Sequence, residues 1–129
     1  MSYRVYIDET HPHIIHNVYS GEVTLDDYYD VIEQTYSMIR EQDITVHTIL
    51  RYENVISRPP NTMQPMRYAS RNMPANLGLR VVVADNTRGR FSAAMINIGR
   101  QLGLALTENV AIVRTLAEAY EVIASQPPN

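Results

Sequence analysis

The 129-residue chain is 45% hydrophobic and 19% charged, the balance of one folded domain that buries about two-thirds of its unfolded surface. It contains no cysteine, which excludes disulfides, thiolate nucleophiles and cysteine-ligated metals. Its net charge of −3 conceals a division, with −7 over residues 1–50, +5 over residues 51–90 and −1 over the rest, and every positive side chain is an arginine.

Residues 3–8, YRVYID, alternate polar and apolar as a half-buried strand does. A THPH turn, with Pro12 fixing φ, leads into IIHNVYSGEV, and the short connection makes the two strands an antiparallel hairpin. Thr24 then caps TLDDYYDVIEQTYSMIREQ, with Asp26 and Asp27 in the first turn, where the helix dipole favours negative charge. Leu25, Tyr28, Ile32, Tyr36 and Ile39 recur at helical spacing and form one apolar stripe. ITVHTILRY, rich in β-branched residues, reads as a third strand buried on both faces.

The stretch ENVISRPPNTMQPMRY reads as a loop leading into a short helix over 62–73. Asn61 or Thr62 caps that helix, and Pro65 falls in or beside the first turn, whose amides lack intrahelical partners anyway. Met63, Met66, Ala69, Ser70 and Met73 share one side, Arg67 and Arg71 another, and Pro74 ends the helix. LGLRVVVAD is a fourth strand of the buried type. The helix in NTRGRFSAAMINIGRQLG carries Phe91, Met95, Ile98 and Leu102 as its apolar side and stops at Gly103. ENVAIVRT is a short fifth strand, and TLAEAYEVIASQ opens with a Thr115–Glu118 capping box and turns Leu116, Ala119, Tyr120 and Ile123 inward.

The order β-β-α-β-α-β-α-β-α predicts a single α/β domain over residues 1–126, a tail at 127–129, four helices, and a mixed, mostly parallel five-stranded sheet. MSYRVYIDET lacks the apolar core of a secretory signal, and no apolar run approaches the roughly 18 residues of a membrane span. The expectation is a cytoplasmic protein without a membrane span.

In this order, and in PPNTMQPMR, NMPANLGLRVVVADN and TLAEAYEVI, the chain resembles the SpoIIAA-like fold of STAS domains and anti-sigma-factor antagonists, and bacterial proteins labelled STAS-like or SpoIIAA-like. The resemblance implies a SpoIIAA-like α/β fold and a regulatory role through protein–protein interaction. In anti-sigma-factor antagonists a phosphorylated Ser or Thr starts the helix after the third strand, in a D-S-x-G-L setting. Here that region reads NVISRPPNTM; Ser57 and Thr62 lie nearby without the motif, and the phosphosite is not carried over.

Loops that leave the carboxyl ends of parallel strands share one rim, where open α/β folds bind ligands. That rim brings Arg58 beside Arg88, Gly89 and Arg90, with Arg67 and Arg71 on the adjoining helix. Guanidiniums at helix starts suit a phosphate, a carboxylate or an acidic partner; the plainer alternative is a set of solvated charges around ordinary turns. Met63, Met66 and Met73 could line an apolar cleft, or form plain core. His11, His13, His16 and His47 suggest a metal, but on an extended chain residues 13 and 16 project to opposite faces. Asp85 with Arg88 is the one catalytic-looking pair, and a loop-stabilising ion pair explains it equally well.

No nucleotide-binding, nucleophile-elbow or metal motif is present, so the reading is non-enzymatic, with no cofactor, no metal and no nucleic-acid partner. It is a regulatory or scaffolding module that binds a protein partner through the basic rim. The alternative is a small-anion or lipid-binding domain using the cleft beside helix 62–73. A homodimer through an apolar patch on the first helix or an edge strand is compatible with the pattern, which does not locate it.

Overall fold

The computed structural model describes residues 2–127, so all but Pro127 of the expected tail lies outside the described residues. The strands are β1 (Tyr3–Ile7), β2 (Ile14–Glu22), β3 (Val46–Ser57), β4 (Leu77–Val83) and β5 (Val110–Val113). The helices are α1 (Leu25–Arg40), α2 (Met63–Arg71), α3 (Thr87–Gln101) and α4 (Leu116–Ala124), with a 3-10 helix at Ala105–Asn109 before β5. The sheet order is β1-β2-β3-β4-β5; β1 pairs with β2 antiparallel and all other pairs are parallel. The α/β class, the mixed five-stranded sheet and the four helices expected from the sequence are all present.

Strand periodicity assigns the two faces. Ile15 and Tyr19 of β2, Val46, Leu50 and Tyr52 of β3, and Val82 of β4 pack beneath α1, α2 and α3. The alternate residues Ile14, Ile49, Leu79, Val81, Val83 and Val113 pack against Ala119 and Ile123 of α4. Parallel crossovers are right-handed, so connections that always step the same way across a sheet fall on the same face. Only α4, which follows the last strand, is free to cover the other.

Local signals behave as their chemistry dictates. Thr24 and Asp27 form a capping box at the start of α1, and Asp27 also accepts from Ser2 Oγ at 2.6 Å. At α2 the cap is Asn61, whose Oδ1 accepts from the Met63 amide at 2.8 Å, while the Thr62 side chain makes no capping bond. The Asn76 amide donates to the carbonyls of Ile39, Gln42 and Ile44, closing the C-terminal turn of α1. Gly103, at φ +71, supplies the left-handed residue just after the C-cap of α3.

Three expectations are corrected. The third strand does not stop at Tyr52 but runs to Ser57, because pairing with β2 continues through Val55 and Ser57 across two register shifts; Asn54 takes φ 52 there. In α3 the buried residues are Gly89, Met95, Ile96 and Gly99, whereas Phe91, Ile98 and Leu102 are exposed. Small residues set that face: Gly89 lets α3 approach the end of β4 and Gly99 lets it approach Met66 of α2 and Thr107, so the Gly-bearing side fits and the Phe–Ile–Leu side does not. Leu25 is exposed likewise, because it precedes the first turn that meets the sheet.

Gly89 is required by contact rather than by φ. A Cβ there would stand 2.5 Å from the Val83 carbonyl oxygen and 2.9 Å from Ala84 Cα, both backbone atoms. Gly89→Ala is expected to destabilise the domain by about 1–3 kcal/mol, the usual cost of overpacking, read as a lower urea midpoint with unchanged slope.

Candidate functional site at the carboxyl ends of the strands

The rim forms where β2, β3 and β4 end and α1, α2 and α3 begin. The chain ties it together through Val23 N to Ser57 O at 2.9 Å, Asn86 Nδ2 to Tyr52 O at 2.9 Å and Arg88 Nη2 to Ile56 O at 3.0 Å. Arg58 lies at its centre. Its guanidinium carbon stands 4.1 Å from the ring centre of Phe91, 5.6 Å from Tyr52 and 5.9 Å from Tyr28. All three guanidinium nitrogens are buried without a hydrogen-bond partner. Cation–π attraction offsets part of that desolvation, but supplies no acceptor for the N–H groups. Beside this cage Ile56 is 71% exposed.

Tyr28 and Tyr52 share a hydrogen bond at 3.0 Å and Tyr19 stacks on Tyr52. Burial first, then the neighbouring Tyr52 hydroxyl, pushes the Tyr28 phenol far above its ordinary range, against the charge of Arg58. The same tyrosines form one wall of a cavity of about 60 Å³ beneath α2. Pro65, Met66 and Ala69 form its roof and Leu50 and Arg80 its floor.

The expected site residues scatter around this centre. Arg58 is caged, Arg88 is spent on the Ile56 carbonyl, and Arg90 donates to Thr87 Oγ1 at 3.2 Å. Arg71 is exposed and Arg67 half-buried on α2. Met66 lines the cavity, Met63 packs against the core, and Met73 is exposed at the end of the helix. Asp85 and Arg88 form no ion pair among the described residues, since Arg88 reaches back to β3 instead. Arg80 was legible only as a charge inside LGLRVVV, an unexpected residue in a strand buried on both faces.

The histidines are also rearranged. His13 lies in the turn before β2, so strand alternation does not apply to it, and all four imidazoles gather on the α4 side. Asp8 binds His16 Nε2 at 2.7 Å and His11 Nδ1 at 3.0 Å, and accepts from Tyr120 of α4 at 2.5 Å. His13 and His47 meet edge to face at 5.9 Å. Among the described residues no group of three or more His, Asp or Glu is placed to hold a metal. Burial raises the Asp8 carboxyl, but hydrogen bonds from His16, Tyr120, His11 and the Thr10 amide outweigh it and hold the group well below the carboxylate range. Burial and the bond to Asp8 push the Tyr120 phenol up to about 12.

The chain matches no protein-family model and no curated protein. No helix among the described residues is long and apolar enough to cross a membrane.

The Tyr120–Asp8 bond gives α4 a defined pH dependence. In the folded state Tyr120 keeps its proton to about pH 12, whereas in the unfolded chain it ionises near pH 10; its stabilisation is therefore complete below pH 10 and lost between 10 and 12. Tyr120→Phe is expected to lower stability at pH 7 by about 1–3 kcal/mol and to flatten the alkaline slope between those values, measured by urea unfolding across pH.

Proposed function

We propose that this chain is a cytoplasmic, non-catalytic regulatory or scaffolding module that binds an acidic protein partner at the rim. The observation that carries the reading is composition at one place: Ile56, 71% exposed, with Arg88 bonded to its carbonyl, and exposed Phe91 against Arg58, with Arg90 in the same first turn of α3. Apolar and aromatic anchors ringed by arginine are the anatomy of a protein-binding hot spot, and positive charge selects an acidic partner and speeds its encounter. The resemblance to SpoIIAA-like domains supports a regulatory role, with the phospho-switch replaced by a basic, proline-rich loop.

A photo-crosslinking residue at position 56 is expected to capture one discrete partner from cells that express the chain, increasingly weakly as salt is raised. The same residue at Glu121, exposed on the opposite face, should capture none. Equal capture at both positions rules the rim out. Arg90→Ala, in the exposed first turn of α3, is expected to weaken the captured interaction several-fold; no effect would make that arginine merely solvated.

A second reading, a small-anion or lipid-binding domain, is favoured by the cavity beneath α2. Its volume of about 60 Å³ suits a small anion and not a lipid chain.

A further inference from the structure

We infer that the cavity beneath α2 is a binding site for a short aliphatic monocarboxylate, with Arg80 as its charge partner. The inference rests on the small-ligand reading and is independent of the rim.

Arg80 sits in the middle of β4, in register with Thr48 of β3 and Val110 of β5, and its side chain enters the layer between sheet and helices. It is half-buried and borders two cavities, one of about 60 Å³ and one of about 20 Å³. Among the described residues it forms no hydrogen bond or ion pair, and neither cavity is lined by Asp or Glu. Its charge is felt by buried Tyr19 and Tyr36, whose phenols burial raises and Arg80 draws back down. In the smaller cavity Thr48 Oγ1 is buried and without a partner, beside a half-buried guanidinium that no protein acceptor meets.

A guanidinium inside a protein is costly unless an anion meets it, and the chain provides none here. A ligand carboxylate would, through the paired N–H groups that match its two oxygens. The rest of the lining selects the rest of the molecule. Leu50, Met66, Met95, Ile96 and Leu106 offer apolar surface, with the hydroxyls of Thr62 and Ser92 at the edge. A phosphate would place its remaining oxygens against those methyl and thioether groups. Size sets the length: one water needs roughly 10–15 Å³, so about 60 Å³ holds roughly four to six non-hydrogen atoms, the size of acetate to butyrate. The polar smaller cavity has room for a water or two that would complete the hydration of the guanidinium.

The wall that admits the ligand is α2. It joins the neighbouring elements through few bonds, Tyr36 OH to Ala69 O at 2.9 Å and Leu106 N to Ser70 Oγ at 3.1 Å among them. Its close approach to α3 is set by Gly99, where a Cβ would meet Met66 Sδ at 2.6 Å. Met66 therefore lies between the helix that would move and the space that would fill.

The test is titration of methyl-labelled methionine protein by NMR, with butyrate, butyramide and inorganic phosphate as separate probes. Butyrate is expected to shift Met66 and Met95 saturably in the millimolar range or tighter and to leave Met38 and Met73 unmoved. Butyramide, of the same shape without the charge, should bind at least tenfold more weakly, as should butyrate to Arg80→Gln. Equal binding of butyramide overturns the assignment to Arg80, and needs no variant to fold. Phosphate moving both methionines while butyrate is silent overturns the carboxylate assignment but leaves a small-anion site. No response to any probe overturns both. Ile56→Asp is expected to leave the butyrate shifts intact, so that failure at the rim and failure in the cavity are read separately.

Discussion

The parallel pairing of β3 with β2 on one side and β4 on the other is the constraint from which the remaining architecture follows. Each parallel neighbour demands a crossover, each crossover has the same hand, and the strands succeed one another in chain order. Three helices are thereby committed to one face. The other face would present Ile14, Ile49, Val81 and Val83 to water if α4 did not fold back over it. Burying four such side chains is worth roughly 6–12 kcal/mol before entropy is charged against it, comparable with the whole net stability of a small domain. The last helix is thus indispensable, and a network of hydrogen bonds on Asp8 fixes it in place.

The two faces differ in how they meet charge, although His16 Nδ1 and Arg51 Nε on the α4 side are also buried without partners. On the α4 side the buried Asp8 carboxylate is met by two imidazoles, a phenol and backbone amides, so the charge is fully answered. On the three-helix side Asn17 finds Thr35 at 2.9 Å and Tyr28 finds Tyr52, yet the two arginines find no acceptor. Leaving a buried ion without a partner costs several kcal/mol, while three aromatic rings return about 0.5–2 kcal/mol per contact at best. Desolvation wins over cation–π attraction for Arg58, whereas the half-buried Arg80 guanidinium is not stripped of water in the same way.

Most of the fold was legible because the signals are local. Apolar runs bounded by Gly, Pro and Asn gave the strands, and Thr24, Gly103 and Thr115 gave helix ends. Side-chain direction was less legible wherever packing outranked hydrophobicity. In α3 the large residues Phe91, Ile98 and Leu102 outweigh Gly89 and Gly99 on any apolar scale, but Gly89 allows the close approach to β4 and Gly99 the close approach to Met66 of α2 and to Thr107. The histidine cluster was hidden by a turn that cancels strand alternation at His13. Of the candidate site, topology places Arg58, Arg88 and Arg90 at the ends of the strands, but Arg71 ends α2 on the far side, because a nine-residue helix carries its last turn away from the rim. The role of Arg80 could not be read from topology, because it depends on which helix residues stand over it, and that is a relation between distant segments.

The charge division along the chain gains a meaning from the strand order. Because the strands lie side by side in the order of the sequence, an acidic first half and a basic second half become an acidic flank at β1, β2 and α1 and a basic flank at α2, β4 and the start of α3. The rim is therefore bipolar, with Asp26 and Asp30 exposed where α1 begins and Arg90 exposed across the sheet where α3 begins; Arg71 ends α2 at the far side of the layer, next to the end of α1. Charges separated by more than about 8 Å are largely screened at physiological salt, so a partner senses each flank on its own. An acidic surface is attracted to the half that contains Arg58 and repelled from the half that contains α1, and the apolar contact at Ile56 and Phe91 lies on the attractive side. For the proposed acidic partner, orientation on the rim would thus be set by the order of charges in the sequence, before any specific contact is made.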